Sequence, residues 1–381
     1  MWQLSEGCQH QCARSRQAAT QACGLAGRGA KIRVMDFQLK QRGRASMHFL
    51  SDLAVASARL KAQVDADVLA KGLDEAHLAA DLDQRLLQVD AALADSPSAA
   101  ALAILSEHSG VNHGRVAAAA FDEVRAELEP RLQALMQGPT TIEPMPSGSR
   151  PDYADAAWIH RTTGGWDGHD YQGFIHGELI HREYVARTYP GDIFAQRRMI
   201  LSVLPRKDYQ RVFEIGTSSG HYTLQIAAEF PEAEIWGCDV SPRMLEQAQR
   251  AANERGLKWR LFVGAGEDTG LPDASADLVT SYIVLHEIPA EAIHAQLREA
   301  FRLLRPGGDV LFSDVTRYGV LNKASVRWAD YQAVHGGEPF WRESASLDLA
   351  AAAEAAGFTQ VRSEGFKGAV YPWYVYGHKP E

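Results

Sequence analysis

The feature that most constrains this chain is a short apolar strand that runs into an acid and a glycine-rich loop. Residues 211–220 read Arg-Val-Phe-Glu-Ile-Gly-Thr-Ser-Ser-Gly, and a helical pattern follows. This order is typical of the first βα turn of a doubly wound sheet, where ligands lie at the carboxyl ends of the strands. Gly216 and Gly220 permit positive φ and a close backbone approach, and Ser218 or Ser219 is predicted to cap the helix. The sequence therefore predicts a nucleotide-binding domain.

The spacing of this loop separates two classes of cofactor. A dinucleotide fingerprint needs glycine at the positions that Ser218 and His221 occupy, so NAD is disfavoured. Glu214 is placed to accept a hydrogen bond from a ligand ammonium group, directly or through water. A second predicted strand ends in Asp239 about twenty residues past the loop, where a carboxylate accepts hydrogen bonds from both ribose hydroxyls. Together the two acids predict a nucleoside ligand that carries an amino-acid portion.

On these motifs the chain resembles the class I methyltransferases that depend on S-adenosyl-L-methionine (SAM), particularly the ubiquinone and menaquinone biosynthesis branch. The resemblance covers roughly residues 180–381. It implies an α/β fold with a Rossmann-like seven-stranded methyltransferase sheet, preceded here by an N-terminal all-α helical domain. It also implies SAM as cofactor and S-adenosyl-L-homocysteine as product. The motifs that carry it are residues 214–220, Asp239, residues 264–268, 271–280 and 284–288, and the Leu-Leu-Arg-Pro-Gly-Gly run at 303–308.

The resemblance implies a set of cofactor contacts. Glu214 and Gly216 would meet the methionine portion, Asp239 the ribose, and Gly266 and Glu267 the adenine. One departure is Ala265, because the family commonly has an acid there; Glu267, Asp268 or the backbone would then replace it. Ser218 replaces the middle glycine of the loop, which is tolerable if it keeps a negative φ. The predicted cofactor-binding residues are Glu214, Gly216, Thr217, Ser219, Gly220, Asp239, Val240, Gly266, Glu267 and Ser281.

Methyl transfer from a sulfonium is an in-line displacement that needs proximity, orientation and a dry site. A base is required only where the nucleophile is protonated. The loop at residues 281–287 resembles the family segment that lines the methyl donor. His286 is the predicted base or hydrogen-bond donor, since imidazole titrates near neutral pH, and a structural histidine is the alternative. The second catalytic candidate is Tyr184; the substrate candidates, each with packing as its alternative, are His176, His181, Arg317, Trp328 and Tyr331.

No metal site is predicted. His176 and His181 superficially resemble a zinc-protease motif, but histidines five residues apart do not share a face of an α-helix. Cys8, Cys12 and Cys23 match no common zinc spacing.

Composition divides the chain into five segments. Residues 1–46 carry eight Arg or Lys against two acids and predict a flexible basic tail, either an incidental extension or a functional arm. Residues 47–137 have apolar residues at helical spacing and predict a bundle of four or five helices; Pro130 should kink or divide the last one. Residues 138–157 read as a linker. Residues 158–205, rich in histidine and aromatic residues, predict a helical cap or a packing layer, and residues 206–381 the SAM-binding domain.

Charge and hydropathy limit the partners. The formal net charge of −9 argues against a nucleic-acid surface. The chain lacks a long apolar run and a secretion signal, so no membrane and a cytoplasmic location are expected. The predicted function is methyl transfer to a small aromatic or apolar acceptor. The alternatives are a non-catalytic binding or scaffold subunit and a methyltransferase for RNA or protein; a homo-oligomer would form through the N-terminal helices.

Overall fold

The computed structural model describes residues 37–147, 150–155, 159–162, 164–188 and 192–381. Most of the predicted basic tail and its three cysteines therefore lie outside the described residues. The tail residues that are described become helical at Gln41, earlier than the predicted boundary at 47.

The N-terminal part contains four helices within the described residues. Ser96 caps the third helix by accepting a hydrogen bond from the Ala99 amide at 3.1 Å. Serine is among the residues favoured at the N-cap of a helix. Pro130 lies inside the fourth helix and does not divide it. The predicted helical run is instead interrupted earlier, at Val124 (φ −115°, ψ 2°). The helices are α1 (Gln41–Ala70), α2 (Leu82–Leu93), α3 (Pro97–Asp122) and α4 (Arg125–Ala134).

No single helix in the described ranges is long and apolar enough to cross a membrane, although α2 and α3, bent by 113°, pass that test as a pair on length and composition.

The sheet has eight strands in the order β1-β4-β3-β2-β5-β6-β8-β7. All neighbouring strands up to β6 are parallel, and β8 pairs antiparallel with both β6 and β7. The expected Rossmann-like α/β fold with N-terminal helices is confirmed, with eight strands in place of seven. The strands are β1 (Thr141–Pro144), β2 (Arg211–Ile215), β3 (Glu234–Asp239), β4 (Trp259–Val263), β5 (Ala276–Tyr282), β6 (Leu304–Asp314), β7 (Thr359–Gly365) and β8 (Trp373–His378).

The additional strand β1 lies within the predicted linker, so the linker prediction is wrong over these residues. It pairs in parallel with β4 from Thr141 opposite Arg260 to Pro144 opposite Val263. Thr140, just before it, is buried and donates its hydroxyl to the Leu257 carbonyl at 2.8 Å. Backbone pairing and this side-chain bond together fix the strand at the sheet edge.

Helices cover both faces of the sheet and create two apolar layers. The strand order reverses direction beside β2, since β3 lies on one side of it and β5 on the other. In doubly wound sheets this switch point forms the ligand crevice. The helices of this part are α5 (Ile193–Ile200), α6 (His221–Glu229), α7 (Pro242–Asn253), α8 (Ala290–Leu303), α9 (Lys323–His335), α10 (Trp341–Ser346) and α11 (Leu349–Ala355).

A π-helix (Ile175–Val185), flanked by single α-turns at Gln172–Phe174 and Ala186–Thr188, lies over the switch point. A Cβ on Gly177 would come within 2.8 Å of the Ser219 hydroxyl, so the π-helix rests directly on the glycine loop. Its other side shares a core with α1 and α3, through residues such as Met47, Phe121, Phe174 and Leu179. The N-terminal helices and the π-helix therefore form one packed layer.

The insertion after β6 contacts these same N-terminal helices. Trp328 on α9 donates its indole N–H to Asp65 of α1 at 2.9 Å. Lys323 donates to the Leu78 carbonyl at 2.7 Å. The N-terminal segment and the insertion between β6 and β7 therefore contact each other.

Candidate active site

A cavity of about 290 Å³ lies between the carboxyl ends of the central strands and the π-helix, near the lower end of the range for small-molecule sites. The π-helix and α3 contribute to one wall, and the strand ends form the other. The predicted residues that line it are Glu214, Gly216, Thr217, Ser219, Asp239, Val240, Gly266, His286, Tyr184, His176 and His181. The remaining predicted residues, Gly220, Glu267, Ser281, Arg317, Trp328 and Tyr331, are not among the described residues that line it.

Glu214 is the penultimate residue of β2, and its carboxyl group is fully buried. One oxygen, Oε2, accepts a hydrogen bond from the Thr223 hydroxyl at 2.5 Å. The other, Oε1, has no hydrogen-bond partner among the residues that the structure describes. Burial raises the pKa of Glu214 to about 8. A buried carboxylate oxygen without a donor is unfavourable, so this side chain is suited to a cationic ligand group.

Three alternate residues of the glycine loop after β2, Gly216, Ser218 and Gly220, have positive φ. Gly216 has φ 77° and Gly220 has φ 82°, and a Cβ on Gly216 would lie 2.3 Å from Val284. The expected negative φ of Ser218 is wrong: its φ is 50°, and in this conformation its amide donates to Asp239 Oδ2 at 2.8 Å. The predicted serine cap of α6 is also wrong, because Gly220 occupies the cap position without a side-chain bond.

Asp239 ends the neighbouring strand β3 and organises both loops beside it. Its Oδ1 accepts from the Ser241 amide at 2.9 Å, while Oδ2 holds Ser218. Each oxygen keeps a further lone pair for a ligand hydroxyl. Burial raises the pKa of Asp239 to about 6. Ser241 in turn caps α7 by accepting from the Met244 amide at 3.1 Å.

The loop after β4 forms the far end of the cavity through Gly264, Ala265 and Gly266. A Cβ on Gly266 would lie 2.4 Å from Ile215, so this backbone rests directly on β2. The Glu267 carboxylate is turned away and accepts a hydrogen bond from the Tyr153 hydroxyl. Tyr153 itself lines the cavity, although its segment reads as a linker.

His286 lies in the loop after β5, and Asp314 holds it in place. Its Nδ1 donates to Asp314 Oδ1 at 2.9 Å, and Asp314 also accepts the amides of Val284 and Leu285. Burial by itself lowers the pKa of His286, but the Asp314 carboxylate raises it to about 9. The imidazole is therefore a cation near neutral pH, which favours hydrogen-bond donation and loop positioning over action as a base.

His176 and His181 do share a face, contrary to the sequence analysis. Their ring centroids lie 4.4 Å apart, because the i to i+5 hydrogen bonds of a π-helix align side chains five positions apart. Burial, followed by the influence of neighbouring cationic groups, lowers the pKa of both imidazoles well below the usual value. His181 Nδ1 is buried and finds no hydrogen-bond partner in the described part of the chain. Both rings are therefore neutral near pH 7.

Tyr184 lies one helical turn further and stacks on His113 of α3, with ring centroids 5.9 Å apart. Burial raises the pKa of the Tyr184 phenol, so it stays protonated. His113 also lines the cavity. The N-terminal helices contain no recognisable catalytic motif, and a single histidine in a helical pattern gives no signal for this contribution.

Three of the predicted substrate residues make their contacts away from the cavity lining. Arg317 donates to the carbonyls of Ser344 at 2.6 Å and Val315 at 2.9 Å. Trp328 bonds to α1, as described above, and Tyr331 packs on His335 with ring centroids 4.8 Å apart. These contacts anchor the insertion after β6, so no substrate role is retained for the three.

A cluster that the sequence analysis missed adjoins the cavity. His160 Nε2 lies 3.1 Å from Glu287 Oε1, and His160 Nδ1 lies 2.5 Å from Glu338 Oε1. These residues come from three distant segments with no motif spacing between them. The histidine-rich composition of residues 158–205 was the only signal in the sequence, and it did not indicate the two glutamates.

The sequence profile of the family described as "Methyltransferase domain" matches residues 212–308. Trans-aconitate 2-methyltransferase from Methylobacterium radiotolerans is 35% identical over 29% of this chain and 39% of its own length. Demethylmenaquinone methyltransferase from Thermus thermophilus is 30% identical over 29% of this chain and 50% of its own. A tRNA N(3)-methylcytidine methyltransferase from Drosophila melanogaster is 31% identical over 28% and 35%. The chain thus spans about half the length, or less, of these relatives.

Among solved structures, phosphoethanolamine N-methyltransferase 2 from Haemonchus contortus in complex with S-adenosyl-L-methionine matches 61% of this chain and 60% of its own at 17% identity and a TM-score of 0.44. The matched profile begins in β2 and ends at the Gly307-Gly308 turn, so it contains the glycine loop, Glu214 and Asp239. The profile match and these relatives confirm the resemblance of this segment to the class I SAM-dependent methyltransferases.

Proposed function

We propose that this protein binds SAM and transfers its methyl group to a small aromatic or apolar acceptor, leaving S-adenosyl-L-homocysteine. The observation that carries the proposal is the pair of buried carboxylates at adjacent strand ends. Glu214 has an oxygen that lacks a donor among the described residues, and Asp239 retains lone pairs beside it. A nucleoside joined to an amino acid would supply a partner for each. The methyltransferase profile over the same strands supports this choice of ligand.

Different residues along the cavity would bind different parts of SAM. Glu214 would accept the ligand ammonium group, and Asp239 the ribose hydroxyls. The backbone at Gly264, Ala265 and Gly266 would border the adenine. SAM, when bound, supplies a methyl group on a positively charged sulfur. The protein's contribution to the displacement is to orient the two reactants and to exclude water.

The acceptor is expected beneath the π-helix, where the wall is formed by His113, His176, His181 and Tyr184. Neutral imidazoles and a protonated phenol offer flat surfaces and single hydrogen bonds, which suit a planar acceptor. The cavity volume of about 290 Å³ also favours a small acceptor over a polynucleotide. Two relatives are named for acceptors that are not nucleic acids, trans-aconitate and demethylmenaquinone, which supports a small-molecule acceptor.

We infer that His181, rather than His286, accepts the proton from an acceptor hydroxyl or amine. A base must be unprotonated and have a free lone pair. Burial lowers the pKa of His181, and its Nδ1 is without a partner in the described ranges. The pKa of His286 is raised to about 9, and its Nδ1 is already bonded to Asp314.

Isothermal titration with SAM and with S-adenosyl-L-homocysteine tests the proposal. Both ligands should bind the wild-type protein, and Glu214→Gln should weaken SAM binding by about 1.5–3 kcal/mol, the worth of a hydrogen bond to a charged group. Glu354→Gln, at an exposed position on α11, is the matched control. Failure of the wild type to bind SAM at millimolar concentration would rule the function out.

A panel of small hydroxylated and amine-bearing aromatic compounds then tests transfer, with S-adenosyl-L-homocysteine release as the readout. Turnover on at least one compound is expected. Retained SAM affinity with no turnover on the panel would favour the alternative of a non-catalytic binding subunit.

The tRNA methyltransferase among the relatives supports a second candidate, a methyltransferase for RNA. The net charge of −9 disfavours it, since phosphate binding requires concentrated positive charge. Salt-dependent binding of total tRNA by the full chain would revive this candidate.

A further inference from the structure

We propose that His160, Glu287 and Glu338 form a binding site for a divalent cation, of the Mn²⁺, Fe²⁺ or Zn²⁺ class, beside the cavity. One potential ligand atom from each residue lies within 4.8 Å of the other two. His160 precedes the π-helix, Glu287 follows β5, and Glu338 lies between α9 and α10. The site is therefore assembled by the fold from three separate segments.

The charge balance of the cluster favours a divalent ion over a proton. A doubly protonated His160 would donate one N–H to each glutamate and would neutralise only one of the two negative charges. Two carboxylates, a neutral imidazole and a divalent cation sum to zero. Buried charge without compensation is costly, and His286, whose Nε2 lies 3.7 Å from Glu287, is already paired with Asp314.

Glu338 supplies an independent observation. Its side chain is 4% exposed, and while Oε1 meets His160, the buried Oε2 has no hydrogen-bond partner among the described residues. An imidazolium cannot satisfy this second oxygen, because both of its N–H groups face other atoms. A cation at the cluster can bind the carboxylate through either or both oxygens.

The backbone holds the first and third ligands side by side. The His160 amide donates to the Gly337 carbonyl at 3.2 Å, immediately before Glu338. His160 and Arg161 both have positive φ, 49° and 57°, a conformation that persists only where its surroundings impose it. Arg161 is fixed by two bonds to Glu107 on α3, each 2.6 Å long.

The donor set indicates the class of ion. One imidazole nitrogen and two carboxylates suit Mn²⁺, Fe²⁺ or Zn²⁺, whereas Mg²⁺ and Ca²⁺ prefer oxygen alone. The ion would take the place of the proton between His160 and one glutamate, and rotation of the second glutamate would complete the set.

Two of the ligands, His160 and Glu287, also line the cavity. An open coordination position would therefore face the acceptor region and could take an acceptor hydroxyl or carboxylate. This role rests on the proposed function, but the binding of the ion does not.

The test is titration of chelator-treated full-length protein with Mn²⁺, followed by calorimetry and by the electron paramagnetic resonance signal of free Mn²⁺, without SAM. One ion per chain is expected, with an increase in melting temperature. Glu338→Gln keeps the shape of the side chain and should weaken binding by at least about tenfold. Glu354→Gln, exposed on α11, should bind as the wild type does.

Glu287→Gln is the second variant, because this partly exposed side chain can be changed with less risk to folding. Absence of Mn²⁺ and Zn²⁺ binding to the wild type, or equal binding by both variants and the wild type, would overturn the site. SAM affinity is measured separately on the metal-free protein. Absence of SAM binding there would contradict the proposed function whatever the result for the metal.

Discussion

At the scale of single residues, the positions proposed to bind the cofactor could be recognised from short local stretches of the sequence. Glu214, Gly216 and Asp239 could be predicted because each lies where a short apolar strand runs into a turn. Their positions depend on neighbours in the chain, and the structure brings all three to the cavity. The cluster of His160 with two glutamates could not be predicted, because only tertiary packing brings its members together.

SAM affinity should rise with pH up to about pH 8. The pKa of Glu214 is raised to about 8, so below that value the carboxyl is protonated and must lose its proton to accept an ammonium group. Affinity should increase by up to about tenfold per pH unit on this acid limb, and it should fall again where the ligand amine, with a pKa of about 7.7–8.0, deprotonates.

Calorimetry from pH 6 to 9 in buffers of different ionisation enthalpy measures both the affinity and the proton release. The Glu214→Gln variant should lose the acid limb. A wild-type affinity that does not change between pH 6 and 8 would contradict this assignment.

Gly216→Ala should destabilise the fold by about 1–3 kcal/mol and should also impair SAM binding. The residue has φ 77°, and its Cβ would lie 2.3 Å from Val284. Gly72→Ala is the matched control, since Gly72 has φ 79° but a Cβ there would meet no described atom within 4 Å. Urea unfolding of both variants separates backbone strain from the clash; equal losses would show that the contact with Val284 is unimportant.

At the scale of elements, the strand-loop-helix unit around β2 was predictable, whereas β1 and the π-helix were not. Four residues that end in Pro144 carry too little periodicity to indicate a strand, and their pairing depends on the exposed edge of β4. The π-helix has an ordinary amphipathic sequence. Its hydrogen bonding follows from packing between Gly177 and the glycine loop on one side and α3 on the other.

His181→Gln should lower the rate of methyl transfer by about a hundredfold or more while the SAM dissociation constant stays unchanged. The π-helix directs this imidazole into the cavity, and the substitution removes the proton acceptor but leaves the strand ends intact. Steady-state rates and calorimetry on the same preparation separate the two effects. His294→Gln, on α8 and away from the cavity lining, is the control; an unchanged rate in His181→Gln would exclude the base.

At the scale of the whole molecule, the helices that precede the sheet take part in the cavity. They share a core with the π-helix, and they meet α9 through Trp328 and Asp65. Apart from the linker, which contains β1, and the tail boundary, which falls at Gln41, the division into five segments stays a proposal. A cytoplasmic location and a homo-oligomer formed through these helices also stay proposals.

Removal of residues 1–36 should leave SAM affinity and turnover of a small acceptor unchanged. Every described residue that lines the cavity lies at His113 or beyond, and these residues already include all those proposed to contact SAM and the acceptor. Activity of the shortened chain, compared with the full chain at low and high salt, provides the measurement. A loss that appears only at low salt would instead indicate that the segment recruits an anionic substrate.

The contact between His113 and Tyr184 places a helix from the beginning of the chain against the reactant space. The cavity is therefore enclosed by one wall from α3 and the π-helix and by a second wall from the strand ends. On the proposed function, mutations on α3 or the π-helix should change the preference for the acceptor while the strand ends continue to hold the same donor. Such a division would allow related proteins to acquire new acceptors while they keep the same methyl-donor site.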